Sequence, residues 1–301
     1  MGRLKGVFLI VMAAALWGFI GPFARLAFSE GIAPLEVAFW RAVLAWLLFG
    51  GQAIARRQYN IRKKDIPNFL LFGFFGVTLF YSAYQFAVQL GGAAVASVLL
   101  YTAPAWVVII SRILFKELLS PVKLTSLVAT ICGIVMISWA GGSGSAITSW
   151  GIFFGLLSGF CYSLYYIFGK YFSDHYSAAN LFLYILPVGI VGLLPFVSFT
   201  HKSPTAWAAL IFLAAFSTFG AYHLYYAGLK YLEAGRASII ATLEPVIAAV
   251  VAYVWWHESF HPSGYIGSVL IIAAVLLMIV FRSDTQQEDS VDPPAHEAKS
   301  A

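Results

Sequence analysis

Ten apolar runs of roughly 20 residues each leave this chain one environment in which to fold. A helix rises about 1.5 Å per residue, so some 20 apolar residues cross a hydrocarbon core of about 30 Å. The runs fall near 7–27, 36–55, 68–89, 94–115, 122–140, 150–172, 178–199, 207–231, 236–256 and 263–281. The connections are short and leave no room for an inserted soluble domain. Only 10% of the residues are charged while 61% are hydrophobic. A soluble domain needs about 25% charged residues to face water. The sequence therefore predicts an all-α, multi-pass membrane protein of the plasma membrane, the inner membrane if the source is prokaryotic. The opening "MGRLKGVFLIVMAAALWG" has the outline of a signal peptide. It has an internal counterpart in the sixth run, and so reads as the first span. Cys132 and Cys161 both lie inside apolar runs, with neither a disulfide framework nor metal-ligand spacing.

In such a chain the net charge of +5 is a matter of orientation, and it argues for no nucleic-acid partner. Arg3 and Lys5 precede the first span, and Arg56, Arg57, Arg62, Lys63 and Lys64 crowd the connection after the second. Arg112, Lys116, Lys123, Lys170, Lys230, Arg236 and Arg282 fall on the same side, whereas the opposite side has Arg25 and Lys202. The positive-inside rule then places both termini in the cytoplasm.

Slid along itself by 141 residues, the chain matches itself. "VASVLLYTAPAWVVIISRILFKELLSP" falls on "RASIIATLEPVIAAVVAYVWWHESFHP", pairing Pro104 with Pro245 and Glu117 with Glu258. Tyr81, Tyr84 and Gln85 meet Tyr222, Tyr225 and Tyr226; farther upstream the offset is 145, and Trp17 meets Tyr162. Five spans is an odd number, so the second copy is inverted relative to the first. The organisation expected is a first repeat over 1–140, an external linker over 141–149 and a second repeat over 150–281. Residues 282–301, polar and acidic with two prolines, read as a disordered cytoplasmic tail. Inverted repeats with interrupted helices at matching places are the signature of secondary transporters.

The stretches "ALWGFIGPFARLA", "PLEVAFWRAVLA", "AAVASVLLYTAPAWVVIISRILFKE" and "ASIIATLEPVIAAVVAYVWWHES" resemble the drug/metabolite transporter superfamily, in its ten-helix type with two EamA repeats. The resemblance covers every span and excludes the tail. It implies an exporter of amino acids or other small metabolites, aromatic amino acids included. It also implies a central cavity lined mainly by spans 1, 3, 4, 6, 8 and 9.

The chemistry-bearing residues within the spans are few. Tyr81, Tyr84 and Gln85, Tyr162, Tyr165 and Tyr166, and Tyr222, Tyr225 and Tyr226 each share one helix face by i, i+3, i+4 spacing. They lie too deep for an interfacial belt, so a cavity lining is expected, with helix packing as the alternative. Arg41, His223 and Glu244 are the ionisable residues placed within spans. Depth allows His223 to meet Glu244. Arg41 lies nearer the outer end of its span, either as a charge partner or as a structural snorkelling arginine. Pro104 and Pro245 are expected to interrupt spans 4 and 9 and to leave carbonyls facing a cavity. The expected substrate-binding set is thus Tyr81, Tyr84, Gln85, Tyr165, Tyr222, His223, Tyr226 and Glu244.

"HESFH" matches a zinc pattern and supplies the alternative from another class, a membrane zinc hydrolase using His257, Glu258 and His261. Pro262 follows at once, no third ligand is apparent, and the other repeat has "KELLSP" at that place. The glutamate belongs to the repeat, so Glu117 and Glu258 are expected to bind free backbone donors at helix ends. The sequence reads as a transporter of a small molecule in a lipid bilayer, with no catalytic residue, metal or cofactor. Monomer and homodimer are both compatible with it.

Overall fold

A computed structural model describes residues 2–140, 148–257 and 262–281. Residues 141–147 of the expected linker, Glu258 and His261 of the histidine pattern, and the tail from 282 lie outside the described residues. The described residues form helices and no strand. In chain order they are α1 Gly2–Ser29, α2 Pro34–Ala55, α3 Lys63–Gly92, α4 Val95–Leu114, α5 Pro121–Ala140, α6 Ser149–Phe172, α7 Ala178–Phe196, α8 Pro204–Leu229, α9 Ala234–Trp255 and α10 Pro262–Val280. Among the described residues nine are long and apolar enough to cross a membrane, and α5, with a shorter apolar stretch, completes the ten.

The backbone repeats with the register of the sequence. A π-helical turn at Phe74–Leu79 in α3 recurs at Ala215–Gly220 in α8. α4 breaks at Tyr101–Thr102 ahead of Ala103–Leu114, and α9 breaks at Thr242 between Ala234–Ala241 and Leu243–Trp256. Lys116 and His257, 141 residues apart, both take left-handed backbone, with φ of 56° and 54°. Non-glycine residues seldom adopt that conformation, so the shared strain marks equivalent helix ends. One break has no mate: α1 is interrupted at Phe19, whereas α6 runs on continuously.

Packing follows the same pseudo-symmetry. α2 lies on α7 and α5 on α10, while α1 packs against α8 and α9 as α6 packs against α3 and α4. Small residues permit these approaches. A Cβ at Gly6 would stand 3.2 Å from the Gly228 carbonyl, and one at its mate Gly151 would stand 3.0 Å from that of Leu90. Gly155 and Gly159 likewise face Leu99 and Thr102.

Helix ends are tied by polar side chains. Glu117 caps α9: its carboxylate accepts from the backbone N–H of Ala234 at 2.8 Å and of Gly235 at 3.2 Å. Buried Lys123 bridges Glu117 and Glu233 at 3.2 and 2.9 Å. This is the helix-end role expected of that glutamate. The face of the bundle holding this cap also carries Arg3, which donates to carbonyls of Met278 and Ile279 at the end of α10, and Lys170, which donates to Leu229 and Leu232. We call it the basic face. On the opposite face Glu36 holds Thr200 and Lys202.

Candidate functional site

The interruptions converge on a cavity of about 280 Å³. Trp17, Ile20 and Gly21 enter it from either side of the break in α1, and Arg41 enters from α2. Phe80, Tyr81 and Tyr84 follow the π turn of α3; Ser97 and Leu100 precede the break in α4, and Tyr101 stands at it. Tyr162 of α6, Tyr222 of α8, and Glu244 and Ala248 of α9 complete the lining. The volume sits at the low end of ligand cavities, roughly 300–1,000 Å³, and suits a small metabolite.

The charges are fixed by the helix irregularities. Glu244 lies in the first turn of Leu243–Trp256, where the free N–H groups and helix dipole favour a carboxylate. Its Oε2 accepts from the Tyr162 hydroxyl at 3.3 Å, and the Tyr101 hydroxyl interacts with the same carboxylate. Arg41 is buried, and its Nε donates to Thr218 Oγ1 at 2.6 Å. Thr218 lies in the π turn of α8 and donates in turn to the Leu213 carbonyl, five residues back, at 2.9 Å. A π turn inserts a residue and re-aims the side chains beyond it; here it presents the hydroxyl that orients Arg41. Arg41 and Glu244 share the cavity without forming an ion pair with each other.

Toward the basic face the cavity is closed by packed rings. Tyr222 stacks on Tyr165 with centroids 5.5 Å apart and meets Phe182 at 4.6 Å. Trp17 and Tyr166 flank Tyr225 at 5.3 and 5.4 Å.

The pattern of the EamA-like transporter family matches residues 4–139 and again residues 149–280. The chain belongs to the EamA-like transporter family. It is 30% identical over 272 residues to an uncharacterized transporter of Archaeoglobus fulgidus, covering 89% of this chain and 94% of that one. It is 27% identical over 287 residues to a probable terminal-alkyne amino-acid exporter of Streptantibioticus cattleyicolor, covering 91% and 93%. An uncharacterized inner membrane transporter of Salmonella typhimurium is 25% identical over 291 residues, covering 91% and 95%. A solved crystal structure superposes with a TM-score of 0.79 at 15% identity, covering 91% of this chain and 96% of the other, which shows a shared fold. This EamA-family protein is therefore a multi-pass membrane transporter and not an enzyme.

Within this EamA fold the expected site residues separate into groups. Tyr81, Tyr84, Tyr222 and Glu244 come together in the central cavity, with Arg41 beside them. Tyr165 lines a narrow continuation with Arg41, Thr218 and Tyr222. Other residues singled out from the sequence lie elsewhere. His223 does not meet Glu244: its Nδ1 donates to the Phe219 carbonyl at 2.8 Å, its ring stacks on Phe49, and it borders a separate vestibule with Tyr226. His223, next to Tyr222, points from a different face of α8, and Tyr226 lies one turn farther toward the basic face. Gln85, next to Tyr84, is half-buried outside the lining. Pro104 and Pro245 stand second and third in the half-helix beyond each break, in its first turn, rather than at the break itself.

Sequence reasoning missed Tyr101, Ser97, Phe80 and Trp17. A signal existed for Trp17, because its repeat mate is Tyr162, and both line the cavity. Tyr101 could have been found as the residue that ends the first half of α4, at the place where α9 has Thr242.

Proposed function

We propose that this EamA-family transporter exports small amphipathic metabolites, amino acids and aromatic ones above all, by alternating access around the central cavity. The observation that carries the reading is that one carboxylate and one guanidinium, held by different helices, share a cavity walled by five tyrosines, Trp17 and Phe80. Arg41 would take a substrate carboxylate and Glu244 its ammonium, each a charge-assisted hydrogen bond. Aromatic walls then suit an apolar side chain. The amino-acid exporter among the relatives supports the same class. Phosphorylated sugars and nucleotides are disfavoured, since one Arg is the sole cation in the lining.

The inverted repeat supports alternating access in particular. Tyr84, Ser97 and Tyr101 line the cavity, whereas their mates Tyr225, Ser238 and Thr242 are buried in packed structure. The two halves hold different conformations, one open and one closed. Exchange of those conformations would open the cavity toward the basic face, which the charge distribution assigns to the cytoplasm. The zinc hydrolase alternative draws no support: Glu117, the mate of Glu258, is spent on capping a helix.

Flux into proteoliposomes across a panel of amino acids, amines and carboxylates tests the reading. Phenylalanine and tyrosine should exchange well, while phenethylamine and phenylpropionate, each lacking one charge, should exchange poorly. Equal exchange of phenethylamine would remove Arg41 from the binding scheme.

A further inference from the structure

Beyond the aromatic wall, on the basic face, lies a second cavity of about 320 Å³ between α1, α8 and the connection from α6 to α7. We propose that this vestibule is a separate binding site for the carboxylate end of an aromatic or aliphatic organic anion. Lys5 from α1 and Lys230 from the end of α8 stand at it, and no carboxylate is among its lining residues. Lys5 lies over the Tyr231 ring, 5.4 Å from its centroid. Most other polar groups there are already engaged. His223 Nδ1 is held by the Phe219 carbonyl, Ser177 donates to Gln58, and the Tyr176 hydroxyl donates to Asp65 Oδ2 at 2.6 Å. Burial and the Asp65 carboxylate push the Tyr176 phenol above its ordinary pKa, so it stays neutral.

Tyr226 is the exception. It is 3% exposed, borders the vestibule, and its hydroxyl has no hydrogen-bond partner among the described residues. A buried phenol left unpaired is costly. That hydroxyl is itself buried, so the charge at the cavity comes from Lys5 and Lys230, which leave a place for an anion. Leu9 and Ala227 supply apolar wall for the body of the ligand. Tyr226 and Tyr222 of the central cavity have ring centroids 6.2 Å apart, so the wall between the two sites is about one ring thick. A carboxylate captured here would wait beside the closed side of the central cavity. That loading role rests on the export reading, whereas the anion site itself does not.

The test uses the full-length protein in phosphatidylcholine nanodiscs with 4-fluorobenzoate as probe, read by fluorine NMR line broadening. The wild type should broaden the line saturably. Lys5→Gln with Lys230→Gln should weaken binding at least ten-fold without lowering the thermal midpoint. Glu244→Gln should bind the probe as the wild type does while losing phenylalanine flux. Retained flux in that variant would overturn the export reading alone. Absent saturable binding, or equal binding in the double variant, would overturn the vestibule site. An anionic lipid is the other source of such a group. Nanodiscs containing phosphatidylglycerol separate the two, because a phosphatidylglycerol molecule that wild type retains and the probe cannot displace would overturn the small-ligand assignment.

Discussion

At the residue scale, Glu244 and Arg41 carry the strongest commitments. Glu244→Gln keeps the size of the side chain and its acceptor for Tyr162, so the fold should survive. Loss of the charge removes the partner for an ammonium, and phenylalanine flux should fall at least 100-fold with a thermal midpoint near the wild type's. Normal flux would make Glu244 a packing residue. Arg41 is held through Thr218, which gives a second prediction. Thr218→Val leaves the guanidinium Nε unpaired in a buried site, at a cost of about 1–3 kcal/mol, and should lower flux about ten-fold. Thr218→Ser keeps the hydroxyl and should restore both. If Ser fails where Thr works, the methyl packing matters rather than the bond.

At the scale of elements, the interrupted helices and their caps matter more than helix propensity. Glu117 satisfies two orphan N–H groups at the start of α9 and neutralises Lys123 in a buried site. Removing that carboxylate leaves Lys123 its pair with Glu233 but strips buried N–H groups of their acceptor, at a cost of about 1–3 kcal/mol. Glu117→Ala should therefore lower the thermal midpoint clearly, and Glu117→Gln less, because the amide oxygen still accepts from one N–H. Differential scanning fluorimetry in detergent would show the ranking; equal midpoints for Ala and wild type would mean that α9 starts without this cap. The repeat made such a role legible in advance, because one glutamate per half ahead of a proline pointed to a structural task.

At the scale of the whole molecule, orientation is the first thing to measure. In a Cys132→Ser, Cys161→Ser background, a cysteine at position 203, on the face opposite the basic one, should react with an impermeant maleimide added to intact cells. A cysteine at position 60, on the basic face beside Asn180, should not. The reverse pattern would invert the topology drawn from Lys and Arg. The repeat also predicts that both halves exchange conformations. Crosslinking that pins the Glu117 end of α4 to the start of α9 should trap the closed basic face and stop flux.

Composition, the period of the apolar runs and the 141-residue self-match were enough to determine ten spans, the inverted halves and the transporter class. These are properties of solvent and spacing: lipid demands about 20 apolar residues per crossing, and an odd number of spans per repeat demands inversion. Spacing also showed which tyrosines share a helix face. It could not show which face meets which neighbour, because that depends on how helices rotate and cross. The π turns in α3 and α8 advance the register by an inserted residue, and the breaks at Phe19, Tyr101–Thr102 and Thr242 redirect the half-helices beyond them. Tertiary structure therefore decided that Arg41 would share a cavity with Glu244 while His223 faced another, since side chains meet through rotations that one-dimensional spacing does not contain.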